Sequence, residues 1–364
     1  MLRDTYAQID TDAFAHNIFE LKRAAGTPLM AVVKADAYGH GVTVMVKKAW
    51  ECGIRWFAVS NPDEAEEVRK TLQDSHILVL SYVMNKACDY MVKDDISVAV
   101  YKPEHIYEMQ QAAVRLGKTA FVHLKADTGM GRIGFRTTEQ LYCIINALKK
   151  CPNVCLEGFF THFASADEAD QTFTDKQIEK YLLFKKIINE AGYTPLCHAS
   201  NSAGIIAVKN AHFDICRAGI SMYGYPPSDE VDMDGIELKP VMSLISYISY
   251  VKEVEPGSEI SYGRTYITDK PCLIATVPIG YADGYLRSFS NRAEGYINGK
   301  KVKQIGRVCM DQIMFDVTGT DVSEGDVIEL FGPHIGADEL ARNAGTISYE
   351  LLTGITKRVP RVYL

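Results

Sequence analysis

The first two thirds of the chain alternate between short apolar runs and longer stretches with helical spacing. The runs are Leu29–Lys34, Trp56–Ser60, His76–Ser81, Ser97–Tyr101, Ala120–Ala126, Cys155–Thr161, Cys197–Ser200 and Ile215–Gly219. Most are almost continuously apolar, as strands are when a parallel sheet is covered on both faces. The segments between them carry helix-end signals. Asn61, Pro62 and the acids Asp63 and Glu64 form a helix start. Lys102–Gly117 and Asp175–Gly192 each stop at a glycine. The pattern is weakest in the third and seventh units, where the helical stretches are short. Eight runs with intervening helices predict a barrel rather than an open sheet.

Beyond about residue 235 the texture changes. Val241–Val254, Leu273–Ile279, Tyr296–Ile305, Gln312–Val317 and Asp326–Phe331 read as strands separated by Pro-Gly, Asn-Gly and Gly-rich turns. Ile9–Ala25 reads as a helix after a short opening strand. The predicted fold is therefore α/β: a TIM-type (β/α)8 barrel over residues 11–235, then a mostly β C-terminal domain over residues 236–364. A strand within residues 1–10 is expected to pair with that domain.

Composition acts mainly by exclusion. A barrel takes ~250 residues, so a 364-residue chain leaves about 110 to be explained. With 47% apolar and 23% charged residues the chain is neither disordered nor fibrous. A net charge of −7 argues against a nucleic-acid partner. No run approaches the ~20 apolar residues of a membrane-spanning helix. The polar start predicts no signal peptide. Nine scattered cysteines without a Cys-x-x-Cys pair predict reduced thiols, a cytoplasmic location and no zinc site.

In such barrels the chemistry collects where strands end. The first run ends in Lys34, and a lysine directly after an apolar strand is unusual. Partial burial would lower its pKa and free its amine as nucleophile or base. The fifth run leads into Lys125-Ala126-Asp127-Thr128-Gly129-Met130-Gly131-Arg132, where glycines let backbone and guanidinium approach an anion. The sixth ends in Thr161-His162-Phe163, the seventh in His198-Ala199-Ser200-Asn201-Ser202 and the eighth in Arg217-Ala218-Gly219-Ile220-Ser221. Each has a dull explanation alone; five at strand ends together specify a ligand. It carries a phosphate, bound at Asn201, Ser202 and Gly219-Ile220. It carries a group that reacts with the Lys34 amine. It has a flat ring for His162 to stack on and Arg217 to contact. Pyridoxal 5′-phosphate meets all three demands.

The segment Ala31-Val32-Val33-Lys34-Ala35-Asp36-Ala37-Tyr38-Gly39-His40-Gly41 resembles the cofactor-lysine signature of the alanine racemases, the fold-type III pyridoxal phosphate enzymes. The resemblance runs from Ala7-Gln8-Ile9-Asp10 to Arg358-Val359-Pro360-Arg361. It implies Lys34 as the lysine that forms a Schiff base with the cofactor. It implies Arg132 beside the ring hydroxyl and the substrate, His162 against the ring and Arg217 at the ring nitrogen. Tyr38, Ser202, Gly219, Ile220 and Tyr349 match phosphate contacts. Ser261-Tyr262-Gly263-Arg264 matches the motif of a second base, Tyr262, acting on the L-isomer as Lys34 acts on the D-isomer. Cys309-Met310-Asp311 matches a substrate-pocket motif, with a Met310 backbone N–H for the carboxylate. Tyr281 and Tyr349 resemble residues that narrow the access path. Lys125 matches a lysine that is carbamylated in several relatives.

The resemblance further implies alanine racemisation in the cytoplasm, D-alanine supply for peptidoglycan, and a homodimer whose sites are shared, with Tyr262 given by the partner subunit. Two bases on opposite faces suit a reaction that removes a proton from one side and returns it on the other. A tyrosine base needs cations near it, and Arg264 and His162 are the candidates. The expected partners are a small amino-acid substrate and a second copy, with neither membrane nor nucleic acid. A racemase of serine or another amino acid is the nearest alternative. A related decarboxylase would place a carboxylate where Arg217 stands. A cofactor-carrier barrel would lack the β tail, and an unrelated phosphate-binding isomerase would be colourless.

Overall fold

The structure, a computed structural model, describes residues 5–233 and 235–364. Residues 1–4 of the expected opening strand lie outside the described residues. The chain divides into two compact units. The barrel unit takes Ala15–Ala37 and Val42–Leu238; the β unit takes the chain up to Phe14, Tyr38–Gly41 and Lys239–Leu364.

In the barrel unit the eight parallel strands are Leu29–Val32, Trp56–Val59, His76–Val79, Ser97–Val100, Ala120–Lys125, Val154–Phe160, Leu196–His198 and Cys216–Ala218. From Leu29–Val32 to Leu196–His198 each pairs with the next in sequence, and Leu29–Val32 also pairs with Cys216–Ala218, which leaves a gap between Leu196–His198 and Cys216–Ala218. The remaining gap has no ladder, yet Asp214 N–H donates to Cys197 O at 3.0 Å and Arg217 N–H to Ser200 O at 3.0 Å. All eight apolar runs became strands, their ends shifted by no more than two residues, and the α/β barrel expectation holds.

The surrounding helices form for local reasons that the sequence carries. Asn61 accepts from Glu64 N–H and caps Pro62–Thr71. Thr137 and Gln140 make a reciprocal capping box on Thr138–Lys149. Pro103–Leu116 buries Ile106, Met109, Ala112 and Ala113 along one stripe and ends at Gly117 in the left-handed region. The third and seventh units have the short helices Asn85–Lys93 and Ser202–Ala207.

The β unit holds a nine-stranded sheet. Tyr6–Ile9 pairs antiparallel with Met242–Tyr247 and parallel with Arg361–Tyr363, so the two ends of the chain meet in one sheet. Two of the apolar runs are split. Tyr296–Ile305 is a hairpin, Glu294–Ile297 with Lys300–Ile305, because Asn298 (φ 47°) and Gly299 (φ 80°) both turn left-handed. Val241–Val254 becomes Met242–Tyr247 and Tyr250–Val254, which pair with different neighbours. Buried Tyr285, Phe289, Phe315 and Phe331 fill this unit's core. All nine cysteines are free. Among the described residues no helix is long and apolar enough to cross a membrane.

Candidate active site

Lys34 follows the first barrel strand directly. Ala35, Asp36, Ala37 and Tyr38 after it all have positive φ, from 52° to 54°. Left-handed backbone costs a residue with a Cβ roughly 1–2 kcal/mol, so the surroundings must hold it. Neighbours within each unit do so. Glu64 accepts the N–H of Ala35 at 2.9 Å and of Ser60 at 2.7 Å, and Asp36 accepts Val42 N–H at 2.7 Å. In the β unit, Arg361 Nε donates to Gly39 O at 2.9 Å. Gly39 (φ +83°) is obligatory, since a Cβ there would meet Leu352 O at 2.3 Å. Tyr38 is buried in this unit, its ring centroid 6.1 Å from that of Tyr349.

Four basic side chains, Lys34, Lys125, Arg132 and Arg217, gather at the barrel's strand ends. Burial, then Arg132, hold the Lys34 amine below the ordinary lysine range, with Glu64 opposing. Lys125 is buried, and its Nζ has no hydrogen-bond partner among the described residues. Burial first, then Arg217 and Arg132, push that amine well down against Asp127. His162 is pushed well below the histidine range by burial and then by Arg217, Lys125, Arg132 and Lys34, so its ring is neutral. The two opposing acids are already committed. Glu64 holds the two amides above, and Asp127 accepts from Gly129 and Gly131 N–H at 3.1 and 2.9 Å. That turn carries Arg132, which is exposed. Among the described residues, the strand ends thus gather basic groups while the opposing Glu64 and Asp127 hold backbone amides.

Arg217 is 2% exposed. Its Nη2 donates to Thr161 O and Ala199 O at 2.7 Å each, and its Nη1 to His198 O at 3.2 Å. His162 Nδ1 is 3.4 Å from Nη2. Nε has no hydrogen-bond partner among the described residues and remains available to a ligand. Ser202 Oγ accepts Gly219 N–H at 3.0 Å and Ser221 N–H at 3.4 Å. Its own hydroxyl hydrogen is therefore left to donate elsewhere. The Ser221 hydroxyl is buried without a partner among the described residues. Asn201 spends its side-chain oxygen capping the following helix, accepting Gly204 N–H at 2.9 Å. Tyr223 donates to Val32 O at 3.0 Å and ties the eighth strand's turn to the first strand. The barrel unit thus joins Lys34, Lys125, Arg132, His162 and Arg217 at one end, with Asn201, Ser202, Gly219 and Ile220 on adjoining turns.

The β unit assembles the rest. Tyr262 is 72% exposed, at the start of a short turn. Ser261 (φ 65°) anchors that turn by donating to Arg307 O at 2.7 Å. Tyr281 N–H donates to Cys309 O at 3.0 Å and Ala282 N–H to Met310 O at 3.1 Å, so these two loops form one surface. Gly280 allows this approach, because a Cβ there would meet both carbonyls at 2.3 Å. Tyr281 and Met310 are exposed on it, and Asp311 pairs with Arg358 at 2.7 Å. Arg264 is exposed and paired with Glu259 at 3.3 Å. Sequence pattern assigns no role to Arg307, whose guanidinium lies against the Tyr262 turn at Gly263. It is equally silent on His123 and Glu157, polar positions inside otherwise apolar barrel strands.

A barrel that gathers amines and guanidinia where its strands end, followed by a β domain that exposes a tyrosine, defines a two-domain barrel-plus-β enzyme. Comparison with known proteins gives the family. The alanine racemase N-terminal domain matches residues 9–227 and the alanine racemase C-terminal domain residues 241–363. The alanine racemase of Clostridium perfringens is 41% identical, with 100% of this chain and 96% of that protein covered. That of Clostridium tetani is 42% identical, with 100% and 96% covered. The solved alanine racemase of Clostridium difficile 630 in complex with cycloserine superposes with a TM-score of 0.92 at 38% identity, covering 99% of this chain and 96% of that one. The chain belongs to the alanine racemase family.

Proposed function

We propose that the chain interconverts L- and D-alanine, with pyridoxal 5′-phosphate in the barrel, in a homodimer whose partner supplies Tyr262. The observation that carries this reading is the gathering of Lys34, Lys125, Arg132 and Arg217 around a neutral His162, with the nearby acids already engaged. The residues fit the cofactor. Lys34 would hold its aldehyde, and Ser202, Gly219, Ile220, Asn201, Tyr38 and Tyr349 would hold its phosphate. His162 would lie on its ring, Arg132 would reach its hydroxyl, and Arg217 Nε would face its ring nitrogen. When bound, pyridoxal phosphate supplies an electron-withdrawing ring that acidifies the substrate's Cα–H.

The chain's own groups then move the proton. Lys34 Nζ, already depressed toward its neutral form, takes the Cα proton of the D-isomer from one face. Tyr262 Oη takes that of the L-isomer from the other. Each returns the proton that inverts the centre. Arg132 and the Met310 N–H would bind the carboxylate, with Asp311 beside them, while Tyr281 and Tyr349 narrow the approach. Arg217 can only donate, so it would face an unprotonated ring nitrogen, weaken the ring's pull on electrons and limit side reactions.

Lys125 carries a carbamate in this reading. A neutral amine can add carbon dioxide and release one proton, and the resulting carboxylate would answer Arg132 and Arg217. A mass increment of one carbon dioxide in intact protein is expected, and its absence in bicarbonate removes this element. Physiologically, the enzyme supplies D-alanine for peptidoglycan in the cytoplasm, where free thiols persist. The deciding experiment follows loss of optical activity from L-alanine, L-serine and L-lysine in parallel. Fastest loss with L-alanine is expected; fastest loss with serine redirects the substrate, and no loss with any of the three ends the racemase reading.

A further inference from the structure

Arg217 has no carboxylate among its described partners, although it is fully inside the barrel. Burial pulls its guanidinium down to about 10, which leaves it charged at neutral pH. Its Nη1 lies 2.8 Å from His198 Nδ1. A guanidinium only donates, so His198 Nδ1 accepts and carries no proton. The one proton of His198 is then on Nε2, which lies 2.9 Å from His123 Nδ1. His123 Nδ1 must accept in turn, which puts the His123 proton on Nε2, 3.1 Å from Glu157 Oε2. A second hydrogen bond reaches that carboxylate oxygen from the Ser97 hydroxyl. No other proton arrangement satisfies every contact. A cationic His123 would confront the Nε2–H of His198 donor to donor.

The surroundings are shaped for this chain. Phe160 stacks on His198 at 4.8 Å with the rings 5° from parallel. Position 158 must be glycine, because a Cβ there would sit 2.1 Å from His123 Nδ1. Burial disfavours the Glu157 carboxylate, but His123 and Ser97 outweigh it and hold the group below the usual range. Glu157 and Ser97 line an open cavity of about 840 Å³ beside Ser75 and His76, where barrel strands begin. The polar line therefore runs from Arg217 at one end of the barrel to a wetted carboxylate at the other.

We infer that Glu157, His123 and His198 form a one-way hydrogen-bond chain through the barrel that fixes the guanidinium plane of Arg217. Glu157 and His123 are positioning residues. They hold His198 as a permanent acceptor, so Nη1 and Nη2 stay bound inward and Nε alone is offered outward. The consequence for pyridoxal phosphate rests on the proposed function; the chain itself does not.

The test uses ¹⁵N-histidine NMR on the full-length protein at neutral pH, with and without added pyridoxal phosphate. Both His123 and His198 are expected as Nε2–H tautomers. A Nδ1–H or doubly protonated ring at either position overturns the inference, whatever the cofactor does. Glu157→Leu strands the His123 proton without an acceptor. Mixed tautomers, a displaced absorbance band of bound cofactor and roughly tenfold weaker cofactor binding are expected. Glu157→Gln keeps an acceptor and should restore the tautomers and most of the binding. Unchanged tautomers and band in Glu157→Leu, or a Glu157→Gln variant no better than Glu157→Leu, overturn the positioning role. If the wild type binds no pyridoxal phosphate, the functional reading fails while the tautomers still judge the chain.

Discussion

The barrel and the β unit present their chemistry in opposite ways. The barrel buries it: Lys125 and Arg217 are nearly inaccessible, and Lys34 and His162 have protonation states set by burial and crowded cations. The β unit displays it: Tyr262 is 72% exposed and Met310 52%, on loops whose backbone is held tightly. Lys34, Arg132 and Arg217 form a cluster of basic groups set by electrostatics. Tyr262 and Met310 form an exposed, geometrically fixed surface. The proposed function uses that contrast, with one half offering charged groups and the other an exposed surface.

Changes in the two halves should therefore fail differently. Lys34→Ala is expected to lose activity by at least about 10⁴-fold and to lose the bound-cofactor absorbance, since in the proposed function one side chain is both anchor and base. Tyr262→Phe should lose about 10²–10⁴-fold yet keep cofactor binding and its spectrum. Loss of the spectrum in Tyr262→Phe would break the contrast. Gly39→Ala forces a Cβ onto the Leu352 carbonyl and into a left-handed φ. A destabilisation of about 1–3 kcal/mol, read as a lower thermal midpoint, is expected with weaker phosphate binding through Tyr38. The smallest effect concerns pH. Lys34 acts as a base when unprotonated, so the rate should rise with pH through a midpoint below the ordinary 10.5. Arg132→Ala removes one cause of that depression, so the midpoint should move upward; a downward move would contradict the electrostatic account. In stability terms the sign is opposite to a paired lysine. A depressed amine destabilises the fold below the ordinary lysine pKa, and that cost fades as pH rises through it.

Much of the barrel was legible because its signals are local. Buried strands are apolar throughout, and Asn61, Gly117 and Gly192 punctuate the helices where the chain turns. The site's charged residues were legible for the same reason: a lysine or arginine after an apolar run stands out. Glu157 and His123 did not stand out, because their meaning comes from partners 34 and 75 residues away across the barrel. The β unit was less legible. Its strands pair out of order, and the run read as Tyr296–Ile305 spans a hairpin turn that its own Asn298-Gly299 pair signals. The assignment of Tyr38–Gly41 to that unit could not be read at all. It depends on Leu352, Arg361 and Tyr363, more than 300 residues further on.

In the proposed dimer, each site would combine the barrel of one chain with the β unit of another. Subunit exchange between Lys34→Ala and Tyr262→Phe proteins tests it directly. Each mixed dimer would contain one site with both residues intact. An equal mixture of the two inactive proteins should regain about a quarter of wild-type activity after random exchange. Mixed dimers verified by mass that stay as inactive as their parents would contradict the account.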